Sequence, residues 1–414
     1  MNRRHTLLAA ALVAASGVAC GDAASDHAAD AATDELASHA DRLAHEIAIV
    51  DTHIDVPYRL QEKMEDISRR TESGDFDYPR ARKGGLDAAF MSIYIPASYQ
   101  ETGGAGDLAD DLIDMVEGFE RDHPDKFGIA RSPADVRTLR KEGRVALPMG
   151  MENGAPIETL AALAHFQQRG IRYITLTHAE NNQICDSSYA DGETWHGLSP
   201  FGRQVVAEMN RLGIMIDISH VSDKTFDAVI SLSQAPPIAS HSSCRAFTPG
   251  WQRNMDDRMI RDLAAKGGVI QINFGSAFLR ADAQEQSTVY HDALDAFLAD
   301  NDLERTDPRA VDWETAYWRD HARIYADVSD VADHIEHVIE LVGVDHVGLG
   351  SDFDGVGDSL PTSLKDVSAY PNLIRELLRR GHTDDEIARI CGGNLLRVWE
   401  KVEAVARDLQ AAGS

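Results

Sequence analysis

Ala48-Ile-Val-Asp-Thr-His-Ile-Asp-Val-Pro57 is the stretch from which the fold can be read. Ala48, Ile49 and Val50 make a short apolar run of the kind a buried strand shows, and polar residues begin where it stops. Side chains alternate along an extended backbone, so His53 and Asp55 fall on one face. An imidazole and a carboxylate side by side at a strand end can grip a divalent cation. A lone pair of this type is more often a loop histidine beside a capping acid. What gives this one weight is that later strands end in the same way.

Seven further stretches read as strands: 84–96, 145–151, 171–177, 214–218, 237–240, 268–274 and 344–350. Apolar residues at helical spacing between them predict helices over 108–119, 160–166, 201–212, 224–232 and 259–265. Another is capped by Ser329 and runs through Val342, and 373–378 and 384–402 are helical after the last strand. Strand and helix alternating in this way predict an α/β protein, a (β/α)8 TIM-type barrel rather than an open doubly wound sheet.

Chemistry in such barrels gathers at the carboxyl ends of the strands. The predicted rim carries His53 and Asp55 from strand one, Glu152 from strand three, His178 from strand four and His220 from strand five. His241 follows strand six and Asp352 strand eight. This set predicts a binuclear metal site, with His53 and Asp55 on one ion, His220 and His241 on the other, and Glu152 between them. Two-metal hydrolytic sites hold their ions about 3.5–4 Å apart, which one carboxylate can span. Nitrogen and oxygen donors without thiolate suit two Zn2+, with Mn2+ or Co2+ as substitutes. No lysine ends a middle strand, which argues against a carbamylated bridge.

The 414 residues carry 68 acidic against 40 basic side chains, a net charge of −28. That balance argues against nucleic acid and anionic lipid as partners, since both need clustered Lys and Arg. Residues 1–20 read as a signal peptide of lipoprotein type: Arg3 and Arg4, the apolar run 7–15, then small residues up to Cys20. The expectation is an exported protein at the periplasm or cell surface, lipid-anchored through Cys20. Residues 21–34 read as a disordered tether, and 35–414 as a single (β/α)8 metallohydrolase domain. Cys185, Cys244 and Cys391 then allow at most one disulfide. The long loop after strand one is expected to overhang the site, and 276–327 reads as an acidic, largely helical insertion. His334 and His337, three apart, read as a solvated helix face.

The rim residues sit in segments that, taken together, resemble the membrane dipeptidase (renal dipeptidase) family of the amidohydrolase superfamily. These are Asp51-Thr-His-Ile-Asp55, Gly150-Met-Glu-Asn-Gly154, Leu176-Thr-His178 with Asn181-Asn182, and Gly197-Leu-Ser-Pro-Phe-Gly202. Then come residues 213–222, Ser240-His-Ser-Ser243, Arg253-Asn254, residues 348–355, and Gly392-Gly-Asn-Leu-Leu-Arg397. They run in family order from near residue 48 to 402; each is weak alone, and the ordered set is specific.

The resemblance implies a zinc-dependent dipeptidase with the metal ligands already named, bridged by Glu152 and a hydroxide. It implies that His178 contacts the scissile carbonyl, that Arg253 takes the substrate's terminal carboxylate, and that Asp352 shuttles the proton to the leaving amine. Asp354, in the turn after the strand, reads as a loop cap. The partners implied are small dipeptides, including those with a D-residue at the carboxyl end, and a second copy in a homodimer. Gly275 departs from the family, which often carries an aromatic there. Two other readings stand beside this one. A lactonase or phosphotriesterase type on the same barrel would give Arg253 no carboxylate to bind. A lipid-anchored binding protein with structural metals or none would be expected to lack part of the ligand set.

Overall fold

The computed structural model describes residues 22–305 and 307–413. The expected signal peptide and Cys20 lie outside the described residues. The described residues form ten strands: β1 (Ile49–Ile54), β2 (Leu86–Tyr94), β3 (Phe127–Ile129), β4 (Val145–Leu147), β5 (Met149–Glu152), β6 (Ile171–Thr175), β7 (Met215–Asp217), β8 (Ile238–Ser242), β9 (Val269–Ile272) and β10 (Val347–Leu349). All pair in parallel, in the order β1-β10-β9-β8-β7-β6-β5-β2-β4-β3, and β1 also pairs with β2. That last pairing closes the sheet into the expected (β/α)8 barrel. Pro148, which has no N–H to give to a ladder, separates β4 from β5, and together these two make the third barrel strand. The short β3 pairs with β4 outside the barrel. With three residues it is too brief for periodicity to reveal.

The strands are buried almost throughout, as expected when helices cover the outside of a parallel sheet. A large apolar shell lies between strands and helices. A second cluster fills the barrel near its amino end: Val50, Phe90, Tyr173, Met215, Ile238 and Val269, joined by Trp399 of the helix Asn394–Ala412. Trp399 is fully buried, with its ring 5.4 Å from Phe90, which lies 5.5 Å from Tyr173. The carboxyl-terminal helix therefore plugs the bottom of the barrel, and the open rim lies at the other end.

Three expectations are corrected. Residues 22–46 form one helix where a tether was expected from 21 to 34; the Ala content that looked unstructured also favours helix. Asp327, not Ser329, caps the helix Val328–Val342, through a capping box with Asp330. His334 is buried rather than solvated: its Nδ1 accepts from the Cys244 N–H (3.0 Å) and its Nε2 meets the Leu279 carbonyl (3.1 Å). Those partners come from the loop after β8 and the turn after β9, whose fold over this helix no local spacing encodes. The insertion is helical as expected, over Ser276–Leu279, Ala281–Asn301 and Pro308–Asp320. Cys185, Cys244 and Cys391 are buried free thiols.

Candidate metal centre

The rim residues converge because the strand ends are tied to one another. The His53 N–H donates to Asp51 Oδ1 (3.0 Å), and the same oxygen accepts the Ser351 N–H (3.0 Å), locking β1 to the end of β10. Asp55 N–H donates to the Phe353 carbonyl (2.9 Å) and Asp352 N–H to the His53 carbonyl (3.1 Å). Backbone strain helps to aim the side chains. His220 (φ 69°) and Asp352 (φ 63°) lie in the left-handed region, as does Asn153 (φ 77°) directly after Glu152. Non-glycine residues persist there when surrounding structure holds them, and they cluster at functional sites.

Glu152 sits at the centre. Its Oε1 lies 3.1 Å from His220 Nε2, 3.3 Å from His241 Nε2 and 3.7 Å from His178 Nε2. Its Oε2 lies 3.3 Å from His53 Nε2, which is itself 3.4 Å from Asp55 Oδ2. Three sets of atoms fall within the span of a metal ion: His53–Glu152–His241, Glu152–His178–His220, and His53–Asp55–Asp352. Glu152 belongs to two of them, as a bridging ligand must. The fit to cations is tested by the polar atoms themselves. His53 Nε2 is buried without a hydrogen-bond partner, aimed between two acids. His220 and His241 bring their Nε2 atoms to 2.8 Å of each other. Arg253 Nη2 donates to that His220 Nε2 (3.0 Å), so His220 carries no proton on this nitrogen. His53, Asp55, Glu152, His220 and His241 are thus brought together as nitrogen and oxygen donors of the kind that could hold a divalent metal.

The electrostatics point the same way. Burial pulls His220 and His241 well below the usual histidine range, and Arg253 beside them adds to the fall. His178 is lowered chiefly by burial as well. Neutral imidazoles are the form that binds metal. Burial alone would raise Glu152, but the surrounding imidazoles outweigh it and hold the carboxyl well below its ordinary range. Burial likewise works against protonated His53, yet the Tyr173 oxygen, Glu152 and Asp55 hold it well above the ordinary histidine value. Asp352 is pushed up to about 7 by burial, with Asp55 and Glu152 adding to the rise. The acids around His53 favour positive charge on that side of the centre, while burial and Arg253 keep His220 and His241 neutral.

All eight residues singled out in the sequence meet at this rim. His178 lies over the His220 ring (4.3 Å between centroids) and against Tyr94, which packs edge-on at 4.9 Å. Arg253 is 3% exposed; its Nη1 donates to Ser242 Oγ (2.8 Å) and its Nη2 to the His241 carbonyl (2.8 Å). Its Nε has no partner, and no carboxylate pairs with it among the described residues. Phe278 packs beside Gly275, its ring 5.0 Å from the Arg253 guanidinium and 5.0 Å from Trp251. Asp354 stays apart from the cluster, accepting from Arg59 Nε (3.0 Å) and tying the first loop to the last. Two contributors escaped the sequence reading. Asn273 Nδ2 donates to Asp352 Oδ2 (2.7 Å), and Tyr94 backs His178; each ends or follows an apolar strand, the one signal that could have exposed them.

The profile of the membrane dipeptidase family (peptidase family M19) matches residues 37–413. An uncharacterized dipeptidase of Schizosaccharomyces pombe is 32% identical over 385 residues, 87% of this chain and 82% of its own length. The dipeptidase aclJ of Aspergillus oryzae is 36% identical over 344 residues, 81% of this chain and 72% of its own. Among solved structures, the probable dipeptidase PvdM from Pseudomonas aeruginosa superposes with a TM-score of 0.76 at 30% identity, over 90% of this chain and all (100%) of its own. A metallopeptidase from Rhodobacter sphaeroides, solved with a phosphinate mimic of the dipeptide L-Ala-D-Ala, gives 0.70 at 27% identity, over 86% and 99% of the two chains.

Proposed function

The chain belongs to the membrane dipeptidase family, and from that premise we propose that it hydrolyses dipeptides bearing a free carboxyl end, using two Zn2+ per chain. His53 and Asp55 would hold one ion, His220 and His241 the other, with Glu152 shared. What zinc supplies when bound is Lewis acidity towards the scissile carbonyl and water acidified to near neutrality.

The protein's own residues do the rest. Arg253 fixes the substrate by its terminal carboxylate, a planar fork matched to a planar acid. His178, at the rim beside Glu152, donates to the carbonyl oxygen as negative charge develops there. Asp352, whose carboxyl burial pushes upward and whose Oδ2 accepts from Asn273, can take a proton from the attacking water and hand it to the leaving amine, the two-way transfer that general acid–base catalysis needs. Tyr94 packs on His178, and Phe278 on Arg253 and Trp251. D-residues at the carboxyl end are part of the proposal, as is export to the periplasm or cell surface with acylation of Cys20 and assembly as a homodimer.

The observation that carries this reading is the buried guanidinium of Arg253, which has no acidic partner among the described residues. A buried unpaired charge is costly, and a substrate carboxylate relieves it, whereas a neutral lactone or phosphotriester would leave it unpaired. The test compares L-Xaa-L-Xaa and L-Xaa-D-Xaa dipeptides with their carboxyl-terminal amides. The wild type should prefer free acids, and Arg253→Met should lower kcat/KM for them by about a hundredfold or more while leaving the amides nearly unchanged. Equal turnover of acids and amides by the wild type would overturn the assignment.

A further inference from the structure

Two of the clustered imidazoles are held from behind, and two are not. His53 Nδ1 lies 2.7 Å from the Tyr173 hydroxyl, and that hydroxyl donates its one proton to the Thr52 carbonyl (3.0 Å). A carbonyl can only accept, so towards His53 the phenol oxygen must accept as well. His53 therefore carries a proton on Nδ1 whatever its charge, and Nε2, facing Asp55 and Glu152, is the nitrogen left for a metal. On the other side, His241 Nδ1 lies 2.7 Å from Ser240 Oγ. Ser240 Oγ donates to Asp217 Oδ2 (2.6 Å). Every other contact of that carboxylate is also with a donor: Ser219 N–H at 3.0 Å, Ser240 N–H at 2.8 Å and the Thr175 hydroxyl at 2.5 Å. Asp217 is thus acceptor-only, the Ser240 proton has one place to go, and His241 must donate from Nδ1. By contrast, His178 Nδ1 and His220 Nδ1 are buried with no partner among the described residues.

We infer that Tyr173, and Ser240 together with Asp217, are positioning residues that fix His53 and His241 in the Nδ1–H tautomer, so that each presents a lone pair from Nε2 to the metal centre. Asp217, Ser240 and Tyr173 come from β7, β8 and β6 and are fully buried. Tyr173 belongs to the apolar plug of the barrel, so one imidazole is keyed to the packing of the barrel floor. The other is keyed to a row of hydrogen bonds running across three neighbouring strands. Partners of this kind behind metal-bound histidines set tautomer and ring orientation, and losing one typically lowers metal affinity by about 10–100-fold.

The inference rests on the zinc reading, and the experiment separates the two. Zinc affinity of the full chain is measured by competition with a chromophoric chelator, beside the melting temperature of the metal-free protein. Tyr173→Phe removes one hydroxyl and keeps the ring. Asp217→Asn keeps the shape, but its amide would donate to Ser240, turn the serine proton towards His241 Nδ1 and place the imidazole proton on Nε2. Each variant is expected to bind zinc about 10–100-fold more weakly with the metal-free melting temperature unchanged. Should Asp217→Asn fail to fold, Ser240→Ala is the second variant, with the same expectation. Affinities within twofold of the wild type, or losses matched by an equal fall in metal-free stability, overturn the positioning role and leave the zinc reading intact. A wild type that binds no zinc overturns both.

Discussion

At the scale of single residues, the centre depends on what is absent as much as on what is present. The loop after β10 turns back over the site at Gly355, where an added Cβ would lie 2.3 Å from both Asp352 Oδ1 and Asp55 Oδ2. Those oxygens belong to a proposed metal ligand and the proposed proton shuttle, and neither can retreat without losing its place. Gly355→Ala should therefore lower kcat/KM by about a hundredfold, the scale of loss that a displacement of about 1 Å brings at a reacting centre, with little change in overall stability. Dipeptide kinetics beside a thermal melt would check it. The histidines and acids themselves were legible in the sequence because each ends a strand. Gly355 was legible only as part of a loop, because its closeness to Asp55 is a meeting of residues three hundred positions apart.

At the scale of elements, the helix Val328–Val342 shows what periodicity can and cannot tell. Its apolar face was readable, but His334 on it is sealed by Cys244, Leu279 and the Phe247 ring 4.2 Å away. Burial is the main cause that brings its pKa down to about 4, from about 6.5 in an unfolded chain. Between those values the unfolded chain binds the proton and the folded one does not, so stability falls as pH drops from 6.5 towards 4 and is unaffected by this group above 6.5. The loss should reach about 3 kcal/mol at the lower end. Urea titrations of metal-free protein across that range should show a flatter pH profile for His334→Gln than for the wild type, although the variant starts less stable at pH 7. The same limit explains β3. Three strand residues lying outside the barrel carry no period to detect.

At the scale of the molecule, the barrel is stoppered at one end and chemically equipped at the other, and the two ends are joined. Trp399 packs on Phe90, Phe90 on Tyr173, and the Tyr173 hydroxyl meets His53. Trp399→Ala should cost about 3–5 kcal/mol by opening a cavity in the plug, measurable as a lower urea midpoint. It should also weaken zinc binding if the plug holds Tyr173 in place. By itself the sequence determined the class of the fold, the order of its strands and the identities of the clustered rim residues, because short apolar runs and the polar residues that end them are local facts. Tertiary structure alone decided that Glu152 lies within reach of four imidazoles, that Arg253 is buried without an acid among the described residues, and which polar groups stand behind each imidazole. Those depend on distances and hydrogen bonds between strands far apart in the chain, which close only when the sheet does.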